Sequence, residues 1–411
     1  MNLIKFTLLC FLTLFSVNAF GQVDTPQKKR VAEQAGAGSW VLVFDDPRPA
    51  RLRGWVSNGY GRSASNYQNS PELKRFSKRV ASKYKLNLQD EWFIPSLGVY
   101  CLVVSFRDGD AKTLQDLKTN KHLLWVQGSN EFDLLKSAPV EATVEKQLAT
   151  QDDPSFGLNG FGVSVAIVDS SVDTSHQDLI GALHKKHDFA EDVPGEKHGT
   201  AIAGVMLSRP EASSFGVPGL APAAKVYAFR GCWEVLDKGK ANCSTLSLAR
   251  ALDAVLSNQV DLLNLSLSGP SDVLLERLLE KIIDQGTMVV AAYDPNRSND
   301  ARFPKPRREV LIVRAEGLDD SDTKGFNTGF TAPGTRVVPI PGNQYDLMSG
   351  HSIATAYTTG LLALRKQKQD SNSDSSSADW KDLANKSMAK HLIEELVPSG
   401  SVINSRSVLV H

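Results

Sequence analysis

The chain has 411 residues, 41% of them hydrophobic and 22% charged, with a net charge of zero. That is room for two or three domains and an ordinary composition for a core-forming globular protein, with no global sign of a nucleic-acid partner. The charge is uneven: residues 22–148 carry 19 Lys/Arg against 14 Asp/Glu, and residues 149–411 carry 26 against 32, which fits either ordinary solvation or two domains of opposite sign that attract.

Residues 1–19 read as a signal peptide. Lys5 is the positive start, Phe6 to Val17 an apolar run too short to span a bilayer comfortably, and Val17-Asn18-Ala19 a small-residue cleavage site. No later segment reads as a membrane helix, so the protein is expected to be exported, secreted or periplasmic, with no membrane attachment after signal removal. A polar lead (20–38) follows. Trp40–Phe44 then reads as a strand, and Pro71–Leu86 as a helix with Pro at its start and Leu73, Phe76, Val80 and Tyr84 at helical spacing. "EWFIP" and "GVYCLVVSF" are strand-like, "AKTLQDLKTN" a short helix and "LLWVQ" a last strand. The order β-α-β-β-α-β predicts a small ferredoxin-like α+β domain over 39–130. A polar linker (131–153) separates it from a second domain (154–411).

The second domain alternates apolar strands with amphipathic helices. Gly162–Asp169, "AKVYAF", "DLLNLSL", "TMVVAAY" and "VLIVRA" read as strands. "HGTAIAGVML", "TLSLARALDAVLSN", "DVLLERLLEKIIDQG" and the segment after Gly350 read as helices. This pattern predicts α/β architecture with a parallel sheet covered on both faces. Residues 366–379 are a polar, low-complexity insert, read as flexible. A short helix and the apolar "VINSRSVLV" close the chain. Of four cysteines, Cys10 leaves with the signal and Cys101 is a small hydrophobe in an apolar run. Cys232 and Cys243 flank a polar loop, and in an oxidising compartment they are expected to form a disulfide. No Cys or His with ligand spacing lies nearby, so a metal pair is not expected.

Three residues carry the chemistry. Asp169 ends a strand of the parallel sheet, where such folds place site residues. His198 opens a helix. Ser352 begins another, either as an N-cap or as a nucleophile beside free N–H groups. Nucleophilic Ser–His–Asp chemistry needs an alcohol, a base of near-neutral pKa and a carboxylate to orient it, and the order Asp, His, Ser is one of those in which such triads occur. A G-x-S-x-G hydrolase elbow is a poor alternative, because its acid and His must follow the Ser and only 59 residues remain after Ser352.

"VAIVDSSVDTSHQDL", "HGTAIAGVM" and "SGHSIATAYTTGLLAL" resemble the three motif blocks of the subtilisin-like serine proteases, over most of residues 155–365. The resemblance implies a subtilisin-like parallel sheet flanked by helices. It implies a triad of Asp169, His198 and Ser352, and a substrate-binding edge at Ser266, Leu267, Ser268 and Gly269. The first domain resembles the family's inhibitory propeptide, so the implied partners are peptide or protein substrates and the chain's own propeptide. The Cys232–Cys243 loop falls where the family lines the other side of the cleft. The implied activity is that of a secreted serine endopeptidase made as a self-inhibited zymogen, without a cofactor. The family often binds structural calcium, which the resemblance leaves open here without assigning ligands.

Two departures bear on activity. Where the family carries A-A-G-N, this chain reads Ala291-Ala292-Tyr293-Asp294. Asp294 stands in the place of the oxyanion-donating Asn, and Tyr293 replaces a Gly that lines the primary specificity pocket. His351 replaces Thr and is a candidate substitute donor, a partner for Asp294 or a solvent-facing residue. These changes keep a second class open: a catalytically impaired relative that binds peptides or a partner.

Overall fold

The computed structural model describes residues 38–48, 70–106, 110–135, 157–189, 195–209, 218–235, 240–316, 318 and 330–371. The expected signal peptide, most of the polar lead and linker, and the expected closing helix and apolar tail lie outside the described residues.

The N-terminal domain is a four-stranded antiparallel sheet with two helices. Its elements are β1 (Trp40–Asp45), α1 (Pro71–Lys83), β2 (Leu86–Ile94), β3 (Val99–Phe106), α2 (Asp110–Leu117) and β4 (Leu123–Gly128), with strand order β2-β3-β1-β4. The expected helix over 71–86 is shorter than its apolar spacing suggested. It stops at Lys83, Lys85 takes a positive φ of 53°, and Leu86 enters the sheet. β1 is apolar from Trp40 to Phe44 because both faces of the sheet are buried. Leu42 and Phe44 pack with Leu73, Phe76 and Val80 of α1, while Val41 and Val43 join a second core shared with the larger domain.

That larger domain holds a seven-stranded, wholly parallel sheet of order β16-β15-β13-β11-β6-β8-β7. Its strands are β6 (Ser164–Asp169), β7 (Leu183–Asp188), β8 (Lys225–Arg230), β11 (Leu262–Leu265), β13 (Met288–Ala292), β15 (Val310–Ala315) and β16 (Phe330–Ala332). On one face, α4 (Thr245–Leu256) and α5 (Val273–Asp284) carry the apolar stripe that also receives Val41, Val43, Trp92, Ile94 and Cys101 from the N-terminal sheet. On the other lie α3 (Lys197–Leu207) and α6 (His351–Ser371). α6 is buried on all sides from His351 to Leu364, and the hydroxyls of Thr355, Thr358 and Thr359 are satisfied by carbonyls one turn back. Its last six residues are Lys366–Ser371, so the start of the expected flexible insert is helical, with Lys366 paired to Asp370 at 2.6 Å one turn on.

The two domains meet through more than apolar contact. Arg250 on α4 pairs with Asp90 on β2 at 2.7 Å, both side chains being buried. Ser96 donates to Asp253 and Gln127 to Asp272, each at 2.8 Å. The buried pair is opposite in sign to the domains' net charges: here the N-terminal domain supplies the acid.

Three regions differ from the sequence expectation. The polar loop around the cysteines is a hairpin of β9 (Cys232–Val235) and β10 (Lys240–Ser244). "DLLNLSL" is two strands, because the chain leaves the parallel sheet at Ser266 and continues as β12 (Leu267–Pro270) in another sheet. The linker begins with a strand, β5 (Glu131–Leu134), whose Phe132 and Leu134 alternate inward while Glu131 and Asp133 face out. Adding β14 (Arg302–Phe303), the second sheet runs β14-β12-β5-β10-β9. The strand that follows the N-terminal domain is therefore held between two edges of the larger domain. β17 (Thr335–Ile340) and β18 (Gln344–Ser349) form a separate hairpin leading into α6.

Candidate active site

β6 ends at Asp169 and α3 carries His198 in its first turn. The two elements approach closely because residue 199 is glycine: a Cβ there would overlap the Ser170 carbonyl. The Ser170 hydroxyl accepts the Gly199 N–H at 2.9 Å. Asp169 Oδ1 then lies 2.7 Å from His198 Nδ1, and also accepts the Ser170 N–H at 2.7 Å. With Nδ1 donating to the carboxylate, the neutral ring presents the Nε2 lone pair to the cleft. His198 Nε2 has no hydrogen-bond partner among the described residues. Burial opposes protonation of His198, but the Asp169 charge and hydrogen bond outweigh it, helped by Glu234 and the Leu135 backbone, so its pKa is raised.

Carboxylates brace the start of α3. Glu234 accepts the His198 N–H at 2.6 Å. Glu196 accepts from Arg230 through both oxygens, at 2.8 and 3.1 Å, and from the N–H groups of Ser171 and Glu234 at 2.6 and 2.8 Å. Negative charge at this end complements the helix dipole. Neither Glu stands out in the sequence: Glu196 is the residue before α3, and Glu234 lies on β9, which is short and half-buried and lacks a clear alternation.

Ser352 lies in the first turn of α6, where backbone N–H groups lack intrahelical partners. Its hydroxyl caps none of them. Oγ sits 3.1 Å from the Ser266 carbonyl oxygen and 3.3 Å from that of Leu135. Ser266 returns a bond from its own hydroxyl to the Ser352 carbonyl at 3.1 Å, and Asn264 and Thr359 continue the chain of bonds behind it. The turn holding Ser352 is thus tied to the point where the chain switches between sheets.

The cleft is filled by the protein's own chain. Leu134 pairs with Leu267 and Asp133 with Ser268 on one side, and Phe132 with Cys243 on the other. Phe132 is fully buried, its ring edge-on to Phe303 at 5.8 Å and against Gly269, where a Cβ would overlap it. Cys232 and Cys243 are cross-strand partners joined by a disulfide, as expected, and they fasten β10 to β9. Cys101 is buried and free, with its thiol pKa pushed up by burial.

Asp294 is buried at the end of β13, but it turns to its own loop. It accepts the Asn296 N–H at 2.9 Å and pairs with Arg297 at 3.3 Å. His351 is not its partner and does not face solvent. The ring is buried, accepts the Ala315 N–H at Nδ1 (2.9 Å), and meets the Tyr293 ring edge-on at 5.5 Å. Nδ1 is therefore an acceptor and unavailable as an oxyanion donor. Among the described residues no group of three or more His, Cys, Asp or Glu side chains is placed to hold a metal ion, and no helix is long and apolar enough to cross a membrane.

A base oriented by a carboxylate, a hydroxyl beside a backbone carbonyl, and free N–H groups at a helix start suit acyl transfer. Comparison with known proteins agrees in kind. The model of the Subtilase family matches residues 160–399. Subtilisin E of Bacillus subtilis is 28% identical over 62% of this chain and 68% of its own length. Subtilisin Savinase of Lederbergia lenta is 32% identical over 52% of this chain and 80% of its own. The minor extracellular protease Epr of Bacillus subtilis is 26% identical over 63% of this chain, a match that spans only 42% of Epr. Among solved structures, fervidolysin of Fervidobacterium pennivorans superposes with a TM-score of 0.57 at 16% identity, covering 82% of this chain and 55% of that one, a likeness of fold.

Proposed function

Because the chain belongs to the subtilase family, the subtilisin-like serine proteases, we propose that it is an exported serine endopeptidase made as a self-inhibited zymogen. The observation that carries this is the Leu135 carbonyl beside the Ser352 hydroxyl, one residue past a strand gripped from both sides, in a chain that also pairs His198 with Asp169. In this reading Ser352 attacks a carbonyl held where that of Leu135 lies. His198 takes the hydroxyl proton and passes it to the leaving amine, and Asp169 orients and stabilises the imidazolium. The Ser352 backbone N–H donates to the oxyanion, and no cofactor is needed. The N-terminal domain is the propeptide, and the bond cut on maturation is the one that follows Leu135. The tail Glu131–Leu135 then remains in the cleft as a product-like inhibitor. Export is supported by the residue pattern of 1–19 and by likeness to a relative named extracellular.

A second reading, an impaired peptide-binding relative, is favoured by Asp294 standing in the sequence where the family carries its oxyanion-donating Asn, with its carboxylate committed to Asn296 and Arg297. One experiment separates the two. Purified wild-type chain is expected to lose its N-terminal domain and cleave a fluorogenic peptide, whereas Ser352→Ala stays full-length and inert. Equal processing of both proteins by themselves, or a wild-type chain that binds the peptide without cutting it, rejects the protease.

A further inference from the structure

Arg302 has no part in the chemistry just described, yet it is a fully buried arginine with an unfinished set of bonds. Only Nη2 is used, donating to the Ala292 carbonyl at 2.6 Å; Nε and Nη1 have no hydrogen-bond partner among the described residues. A buried guanidinium without a counter-charge is costly. Burial holds the Arg302 pKa below its usual range and Asp294 offsets this only in part, since its oxygens already serve the Asn296 N–H and Arg297. One carboxylate therefore faces two guanidinium groups.

Its location is specific. Arg302 and Phe303 are neighbours on β14, paired with Pro270 and Gly269 of β12, the strand that grips the tail. Adjacent strand residues point to opposite faces. Phe303 meets Phe132, so Arg302 points the other way, to Ala292 and the Tyr293 ring, 5.9 Å from its guanidinium carbon. The same ring contacts His351, the residue before Ser352. The guanidinium thus stands one aromatic ring away from the nucleophile's turn. The tail itself fits unevenly there: Phe132 and Leu134 are buried, whereas Leu135, whose carbonyl lies at Ser352, is only half-buried.

We propose that Arg302 is a specificity-determining residue, which selects peptides bearing Asp or Glu at the position now held by Leu135. A carboxylate accepts a charged hydrogen bond from either vacant donor, and it restores charge balance around Asp294. Leu135 in the chain's own tail leaves that demand unmet, so substrates in trans are better matched to the site than the inhibitor is.

The proposal rests on the protease reading only for its kinetic arm. The first arm needs no catalysis. In full-length Ser352→Ala, Leu135→Glu is expected to raise the thermal midpoint above that of Leu135→Gln by roughly 2–8 °C, and Arg302→Gln to abolish the difference. The second arm compares matched peptide p-nitroanilides ending in Glu, Gln or Leu on the processed wild-type enzyme. Glu is expected to exceed Gln by roughly 10- to 100-fold in kcat/KM, the range of a charged hydrogen bond, and Arg302→Gln to bring the ratio to about one. Should Arg302→Gln not fold, the Glu–Gln comparison with Arg302 intact decides alone. Cleavage of Gln and Leu peptides as fast as Glu peptides, or a Leu135→Glu chain no more stable than Leu135→Gln, overturns the proposal and leaves the protease standing. A stability gain in the first arm with no peptide cut by any variant supports Arg302's role and rejects the protease.

Discussion

Phe132→Ala offers a direct measure of how the tail is held. Phe132 is fully buried against Gly269 and edge-on to Phe303, whereas Glu131 beside it is exposed. Truncating a buried Phe to Ala costs about 3–5 kcal/mol, and the edge-on ring contact falls within that range at about 0.5–1.5 kcal/mol. At 1.4 kcal/mol per tenfold, the tail's hold on the cleft should loosen by about 10²- to 10⁴-fold. The substitution removes nothing from the catalytic chemistry, because Phe132 belongs to the occupant rather than to the site. The assay is hydrolysis of a fluorogenic peptide by freshly purified full-length protein. Wild type should show a long lag and low initial rate; Phe132→Ala should start near its final rate, and Glu131→Ala should behave as wild type. If Phe132→Ala shows the wild-type lag while both reach the same final rate, the buried ring does not hold the tail, and the inhibitory role given to β5 is wrong.

Three further outcomes follow from the site. His198 must be neutral to act as a base, and its pKa is raised chiefly through Asp169 against the pull of burial; Asp169→Asn should shift the acid limb of kcat/KM to lower pH while cutting kcat by about 10⁴-fold, and an unmoved limb in the residual activity would contradict this. Asp294→Asn should raise kcat, by up to about 10²–10³-fold if the new amide reaches the oxyanion, with little change in KM; steady-state kinetics showing a large loss with an unchanged fold would make the carboxylate part of the mechanism. The Cys232–Cys243 disulfide, closing a sequence separation of 11, should contribute about 3 kcal/mol at most, so denaturant midpoints of Cys232→Ser/Cys243→Ser and wild type should converge under reductant.

Several features could be read from residue order alone. Runs such as "SVAIVD" and "MVVAA" have no polar alternation because their strands are buried on both faces, and that pattern is local enough to predict a parallel sheet. The amphipathic spacing of α5 and the Pro at the start of α1 are equally local. Asp169 and His198 stood out because each closes or opens such an element, and the fold brings them to 2.7 Å. The disulfide was legible because two cysteines flank a polar loop in a chain expected to enter an oxidising compartment.

What only the tertiary structure decided depends on contacts between segments far apart in the chain. Glu131–Leu134 looks like a polar link because two of its four residues are acidic; it is a strand only because β10 and β12 offer it two edges at once. "DLLNLSL" reads as one strand, and the switch of sheets at Ser266 is set by bonds to Ser352, 86 residues away. His351 could have paired with Asp294 by sequence; the Ala315 N–H on a different strand claims its Nδ1 instead. Arg302 lies in a stretch, "ARFPKPRR", that looks like an exposed basic loop. It is buried because β14 closes over the strand beside the cleft, and the electrostatic demand this creates arises from burial and missing partners, which no local pattern of residues encodes.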